Sequence, residues 1–473
     1  MKLRIPALLA GILALAGCAA DIPYRSADMP ADQLASCAPD CTGRPVEQVK
    51  VAAVKDDYLL SFVEFDDQGW FQDGSQRWAV FKEMADARAK DPDQQFLIMV
   101  YAHGWLHNAG TADGNVAEFQ KLLQQMVLME HAAVAQNMKA RPRKVVGVYL
   151  GWRGASLTVP GAKFLTFWTR KNAAERVGER SVKQLLMDLE QFKKTMNPGM
   201  KDNRLAEPHE TQLVMIGHSF GGLVMYHALY SQLMERARHI YTDDGAVVYD
   251  VAKSFGDFVL LVNPAFEGSA YEPLAQATRD RCYVRQQRPV MAVVTSQSDW
   301  ATGITFPLGR AYTALQSAPH DAADERATVF NTVGHLDRYQ THLLRPWDER
   351  KDGPPTAAKV DAEPSLDQAH RLVAGAKQVN AALKAGATDP VPLLAAATDK
   401  KAYHHLVLER QGKAAMDYMP YLVISADPAV IDGHSDIWNA TFRNFMAEFV
   451  GTEVMRVKAT SIDTPACKPF AKP

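Results

Sequence analysis

TQLVMIGHSFGGLVMYH, residues 211–227, changes its periodicity at a single serine. Leu213 to Ile216 is a continuous apolar, partly β-branched run of the kind that forms a strand buried on both faces. It stops at Gly217-His218-Ser219-Phe220-Gly221. Leu223, Tyr226, Tyr230 and Leu233 then recur at helical spacing. The stretch therefore reads as strand, sharp turn and helix, with Ser219 at the apex. A side chain at either flanking position would collide with the neighbouring strand or helix, so glycine is required on both sides. The helix start adds unpaired backbone N–H groups and a positive dipole end beside the hydroxyl.

Outward from this stretch the same alternation repeats. Phe96 to Ala102 (FLIMVYA) ends in His103-Gly104-Trp105-Leu106-His107, and a helix follows, with Asn115 as its expected cap. Val145 to Leu150 closes with Gly151-Trp152-Arg153-Gly154, and residues 155–172 read as a loop of aromatic and small residues. Phe258 to Val262 ends in Asn263-Pro264, Val290 to Thr295 ends in Ser296-Gln297-Ser298-Asp299, and Tyr421 to Ser425 leads to Gly433-His434-Ser435 and a closing helix. Strands alternating with helices predict an α/β fold with a mostly parallel sheet covered on both faces. Residues 49–455 form the expected domain. An insertion at about 310–415 precedes the last strand; its Ala- and Pro-rich part, 350–400, is a possible cap over the site. Residues 456–473 form a tail.

The chain has 473 residues, 47% hydrophobic and 22% charged, ample for a large core. Its 52 basic and 54 acidic residues give a net charge of −2 with no basic run, which argues against a nucleic-acid partner. Lys2 and Arg4 precede an apolar stretch, Ala7 to Ala16, too short to span a bilayer. It ends in Leu15-Ala16-Gly17-Cys18, which resembles the lipobox of bacterial lipoproteins. That resemblance implies removal of residues 1–17, acylation of Cys18 and a membrane anchor. With Ala19 following the cysteine, it implies an outer-membrane place in the bacterial envelope. Loss of Lys2 and Arg4 leaves a mature charge of −4. Residues 18–48 read as a tether. Cys37, Cys41, Cys282 and Cys467 are an even set suited to disulfides in an exported protein, with three pairings open.

On Ala102-His103-Gly104-Trp105, Gly151-Trp152-Arg153-Gly154 and Gly217 to Gly222, the chain resembles the α/β-hydrolase superfamily, in a serine esterase or lipase-like branch. The resemblance covers roughly residues 90–310 and 418–450. It implies the chain order nucleophile, acid, histidine. Ser219 takes the first place, Asp299 the second and His434 the third. Oxyanion donors are expected from the backbone N–H groups of Phe220 and Trp105, with both side chains lining an acyl pocket. His335 is the rival base, because it follows a β-like run at Thr328 to Phe330, and Asp257 and Asp427 are rival acids. His218 is assigned to packing. A phosphate-loop reading of the glycines fails for want of a lysine. His103 and His107 lie four apart but have no third ligand nearby in sequence, so no metal is expected, and no cofactor.

The expected activity is cleavage of carboxylic esters, lipid esters among them, through an acyl-enzyme. The aromatic residues Trp105, Trp152, Phe164, Phe167, Trp168, Phe220 and Trp300 favour an apolar acyl group. Amide or thioester cleavage, and a non-catalytic envelope binding protein on the same fold, remain as alternatives.

Overall fold

The computed structural model describes residues 21–26, 43–156, 166–198, 209–237, 251–279, 283–308, 310, 323–352, 361–385, 400–403, 405–412, 414 and 417–457. Residues 1–17, all five cysteines and Phe164 lie outside this set. In chain order the strands and main helices are β1 (Val46–Val51), β2 (Asp56–Phe65), α1 (Gly74–Lys90), β3 (Phe96–Ala102), α2 (Gly114–Ala135), β4 (Lys144–Trp152), α3 (Phe167–Val177), α4 (Lys183–Met196), β5 (Gln212–His218) and α5 (Phe220–Ala237). They continue as β6 (Phe258–Val262), α6 (Gly268–Arg279), β7 (Met291–Ser296), α7 (Ala323–Phe330), β8 (His342–Pro346), α8 (Leu366–Lys384), β9 (Lys400–Tyr403), β10 (Leu406–Arg410), β11 (Tyr421–Ala426) and α9 (Ala440–Val454).

The strands form one sheet in the order β1-β2-β4-β3-β5-β6-β7-β11-β8-β10-β9. From β2 to β8 every neighbour is parallel, while β1 on one side and β10 and β9 on the other are antiparallel. Every residue of β3, β5, β6, β7 and β11 is buried. Such strands need helices on both faces, which explains their unbroken apolar runs. The chain is thus a mixed α/β protein with a mostly parallel sheet flanked by helices.

The turn between β5 and α5 is set by close packing. A Cβ on Gly221 would lie 2.0 Å from the carbonyl oxygen of Ala102, and one on Gly217 would lie 2.6 Å from that of Gly221. Ser219 has φ of +56°, a left-handed conformation that a non-glycine residue adopts at a cost of about 1–3 kcal/mol. Its N–H donates to the carbonyl of Val262 (3.0 Å), and its own carbonyl accepts from Leu223 (3.2 Å) and Ala265 (3.1 Å). The neighbouring strand end therefore clamps the strained residue from outside the turn.

Several segments differ from the sequence expectation. The cap of α2 is Asp113, whose side chain accepts from the N–H of Asn115. Thr328 to Phe330 belongs to helix α7, so His335 follows a helix and not a strand. The expected loop at 155–172 becomes helix from Phe167. Two charged residues, Arg170 and Lys171, sit on its buried side, paired with Asp67 (2.6 Å) and Glu267 (3.1 Å), and so disguise the apolar face. The insertion contributes β8, β9 and β10 to the sheet, and α8 packs against α2 and α9. Residues 21–26 of the expected tether are seated on the body, with Arg25 1% exposed.

Two glycine substitutions separate the packing requirement from mere conformational freedom. Gly221→Ala is expected to lose at least ~3 kcal/mol or to fail to fold, as overpacking against rigid backbone does. Gly74→Ala, at a helix start with nothing within 4 Å of the new Cβ, should change stability by under ~1 kcal/mol. Urea unfolding midpoints check both.

Candidate active site

The C-terminal ends of the parallel strands bring Ser219, Asp299 and His434 together. His434 lies in the loop between β11 and α9, after Gly433, which has φ of +83°. Its Nδ1 is 2.8 Å from Asp299 Oδ2 and its Nε2 is 2.7 Å from Ser219 Oγ. The Asp299 side chain is fully buried. Its Oδ1 accepts from the N–H groups of Ala301 (3.0 Å) and Thr302 (3.2 Å), and its Oδ2 accepts from the Thr302 hydroxyl (2.5 Å) as well as from His434. Burial pushes this carboxyl up, but the bonds from His434 and Thr302 outweigh it and hold the group below the usual carboxylate range. An ionised acceptor at Nδ1 fixes the imidazole tautomer: Nδ1 carries the proton, and Nε2 is left to accept from the serine hydroxyl.

The histidine loop is also held by its backbone. The carbonyl of His434 accepts from His218 Nε2 (3.0 Å) and from Asn263 Nδ2 (2.8 Å). Asn263, with φ of +45°, uses its Oδ1 to accept from the N–H of Ser296 (2.9 Å) and so ties the ends of β6 and β7 to that loop. His218 is therefore more than packing. Burial, then the neighbouring His434, lower its pKa to about 3, so it stays neutral with its proton on Nε2. Asn263 and Thr302 carried only weak sequence signals: an asparagine ending a buried strand, and a threonine three residues after an aspartate.

The rivals sit elsewhere. His335 Nε2 is 3.0 Å from the Thr302 hydroxyl, which in turn donates to Asp299, and burial lowers its pKa. Asp257 lies at the opposite edge of the sheet, accepting from the N–H of Leu213 (2.8 Å) and pairing with Lys193 (2.7 Å). Asp427 caps its own turn through Ala429 (2.8 Å). His103 stacks on Trp152, with Nδ1 on the carbonyl of Gly104 (2.9 Å) and Nε2 on the N–H of Trp152 (3.1 Å). Burial lowers its pKa to about 4. Among the described residues no group of three or more His, Cys, Asp or Glu is arranged to hold a metal.

A cleft of about 780 Å³ opens over Ser219. Trp105, Phe167 and Trp300 form its aromatic walls, and His107, Asp432 and Asp436 lie on its polar side. The loop carrying Trp105 runs directly against the serine: a Cβ on Gly104 would be 2.9 Å from Ser219 Cβ. Phe220 is the first residue of α5, where N–H groups have no partner within the helix. Its side chain, however, is fully buried beneath Phe167, at 4.8 Å between ring centres, and is absent from the cleft wall. Trp152 is taken up by His103, and Trp168 backs Phe167 and Phe306. The aromatic load thus divides into a lining and a support behind it.

No known family model matches the chain. No curated protein matches it either. Among solved structures, phospholipase PlaB from Legionella pneumophila in complex with thio-NAD is 12% identical, over 53% of this chain and 46% of that one, with a TM-score of 0.23. An uncharacterized protein from Pseudomonas aeruginosa is 11% identical, over 50% of this chain and 42% of that one, with a TM-score of 0.22. In both cases the chain spans less than half of the neighbour's length.

The buried histidines contribute to the acid response. Their folded pKa values lie below the unfolded value of about 6.5, so the unfolded chain binds protons first as pH falls. Their contribution to stability is complete above pH ~6.5 and is lost toward the folded values, about 4 for His103 and about 3 for His218. Urea midpoints should therefore fall steadily from pH ~6.5 to ~4. Ring signals of His103 and His218 in NMR should remain those of neutral imidazole at pH ~5; titration near the unfolded value would contradict this burial.

Proposed function

We propose that this chain is a serine hydrolase of the α/β-hydrolase kind that cleaves carboxylic esters through an acyl-enzyme. One observation carries the reading: the His434 ring bridges Ser219 Oγ and a buried, ionised Asp299 at hydrogen-bonding distance on both sides. Ser219 Oγ attacks the ester carbonyl carbon while its proton passes to His434 Nε2. Asp299 stabilises the imidazolium that forms and holds the ring in place. The carbonyl oxygen, now negative, leans on the N–H groups of Phe220 and Trp105. Preorganised donors of this kind are worth roughly 3–4 kcal/mol each. As the tetrahedral adduct collapses, the ester C–O bond breaks and His434 returns the proton to the departing alcohol. Water then repeats the sequence on the acyl-serine and releases the acid. No cofactor takes part. The aromatic walls suit an apolar acyl group.

The lipobox-like Leu15-Ala16-Gly17-Cys18 supports an exported protein anchored by acylation at Cys18, on the outer membrane of a bacterial envelope. Among the described residues, no helix is long and apolar enough to cross a membrane.

A fluorophosphonate probe tests the chemistry. Labelling of the wild type and its loss in Ser219→Ala are expected. Asp299→Asn should lower kcat by about 10³–10⁴, because the wrong tautomer is then favoured. A folded wild type that neither labels nor hydrolyses short-chain esters would overturn the proposal. For the anchor, fatty-acid incorporation should disappear in Cys18→Ser; undiminished incorporation in that variant would refute it.

A further inference from the structure

Residues 21–26 are built into the body. Asp21 accepts from the N–H of Asp67 (3.1 Å) and from Gln72 Nε2 (2.8 Å). The N–H groups of Tyr24 and Arg25 donate to the buried Glu64, each at 2.8 Å. Arg25 Nε donates to the carbonyl of Ala109 (2.6 Å), and its guanidinium lies 3.7 Å over the Phe62 ring and pairs with Glu47. Glu64 and Asp67 are at the C-terminal end of β2, and Ala109 is in the loop after β3. These positions share the sheet edge that carries Ser219, Asp299 and His434. Three residues of extended chain reach at most about 11 Å. Acyl chains on Cys18 would therefore enter a bilayer beside this edge, without a long leash.

The same edge exposes large apolar side chains. Residues 300–308 are helical, and Trp300, Ile304 and Leu308 recur on it at four-residue spacing, 55%, 60% and 70% exposed. Trp300 also forms part of the cleft wall. On the other flank Trp70, 59% exposed, sits in the turn after β2 that receives Asp21. Five strand spacings, about 24 Å, separate the ends of β2 and β7. Exposed apolar groups thus stand at two places along this edge, the Trp300 ridge beside the cleft and Trp70 near the seat of Asp21, and the ridge is the kind of clustered exposure that marks an interaction surface.

We propose that this edge is a membrane-docking face. The Cys18 anchor and Trp70 hold one flank on a lipid bilayer, and the Trp300–Ile304–Leu308 ridge holds the other. The substrate class is then an acyl ester of a membrane lipid, taken from the leaflet that carries the anchor. The substrate part rests on the serine-hydrolase reading above and the Cys18 hold on the lipidation reading; the Trp300–Ile304–Leu308 ridge rests on neither.

The chain from residue 18 onward carrying Cys18→Ser, with or without Ile304→Ser and Leu308→Ser together, is mixed with vesicles of phosphatidylethanolamine and phosphatidylglycerol at three to one. The parent should float with the vesicles. The double substitution should lower partition, and hydrolysis of vesicle phospholipid with it, by about tenfold, from the loss of two inserted aliphatic groups. Turnover of soluble p-nitrophenyl butyrate should be unchanged. Trp70→Ser, an independent surface change on the other flank, should also weaken partition. Flotation that is absent in the parent or indifferent to all three substitutions overturns docking, even if butyrate is hydrolysed. So does a parent dimer, seen by light scattering, that the substitutions dissolve without any vesicle binding. Loss of flotation in the variants, with no butyrate turnover in any chain, would sustain docking and sink the hydrolase reading instead.

Discussion

One buried carboxylate organises the site. Asp299 has given up its water, a change that costs several kcal/mol for an isolated ion. Four donors converge on its two oxygens in return: two backbone N–H groups, the Thr302 hydroxyl and the His434 ring. The first three come from the helical segment that follows Asp299 itself, so the acid is held by its own segment independently of the histidine loop. What His434 meets is an anion already fixed in place. The ring's orientation and tautomer follow from that meeting, and the geometry at Ser219 follows from the ring.

The nucleophile is held by a different principle. Ser219 occupies a strained backbone region, and such strain persists only where the surroundings over-determine it. Here they do so through glycines that admit neighbouring backbone to within collision distance of a methyl group, and through hydrogen bonds to Val262 and Ala265 in the next connection. His218 and Asn263 extend the same logic to the other partner by gripping the carbonyl of His434. Serine and histidine are thereby referenced to one rigid strand end, that of β6.

Much of this was legible in the chain before any coordinates. The buried strands announce themselves because parallel strands covered on both faces must be apolar throughout, and the glycines around Ser219 admit few other uses. Asp299 and His434 were reachable because each ends or follows such a strand. What escaped is what lacks periodicity. The buried face of α3 carries Arg170 and Lys171, charges paired with distant Asp67 and Glu267 as well as with Glu175 one turn on, so it reads as loop. Asn263 and the carbonyl contact of His218 involve polar atoms whose partners are far away in sequence, and Thr302, though three residues from Asp299, is a single polar residue with no pattern around it. The seating of Arg25 belongs to the same class, since nothing local distinguishes it from a solvated arginine. Phe220 shows the converse error: proximity to the nucleophile in sequence says nothing about the direction of its ring, which points into the core.

The insertion has a mechanical side effect. Without β8, β10 and β9, strand β11 would be the margin of the sheet, with half its peptide groups open to solvent and free to peel. The added strands make it interior, paired on both sides to β7 and β8. Fraying at that side begins at β9 and must travel inward through two further strands before it disturbs the support of the histidine loop. The amides of β11 should accordingly belong to the slow-exchanging, globally protected class, and the base stays in register while the periphery breathes.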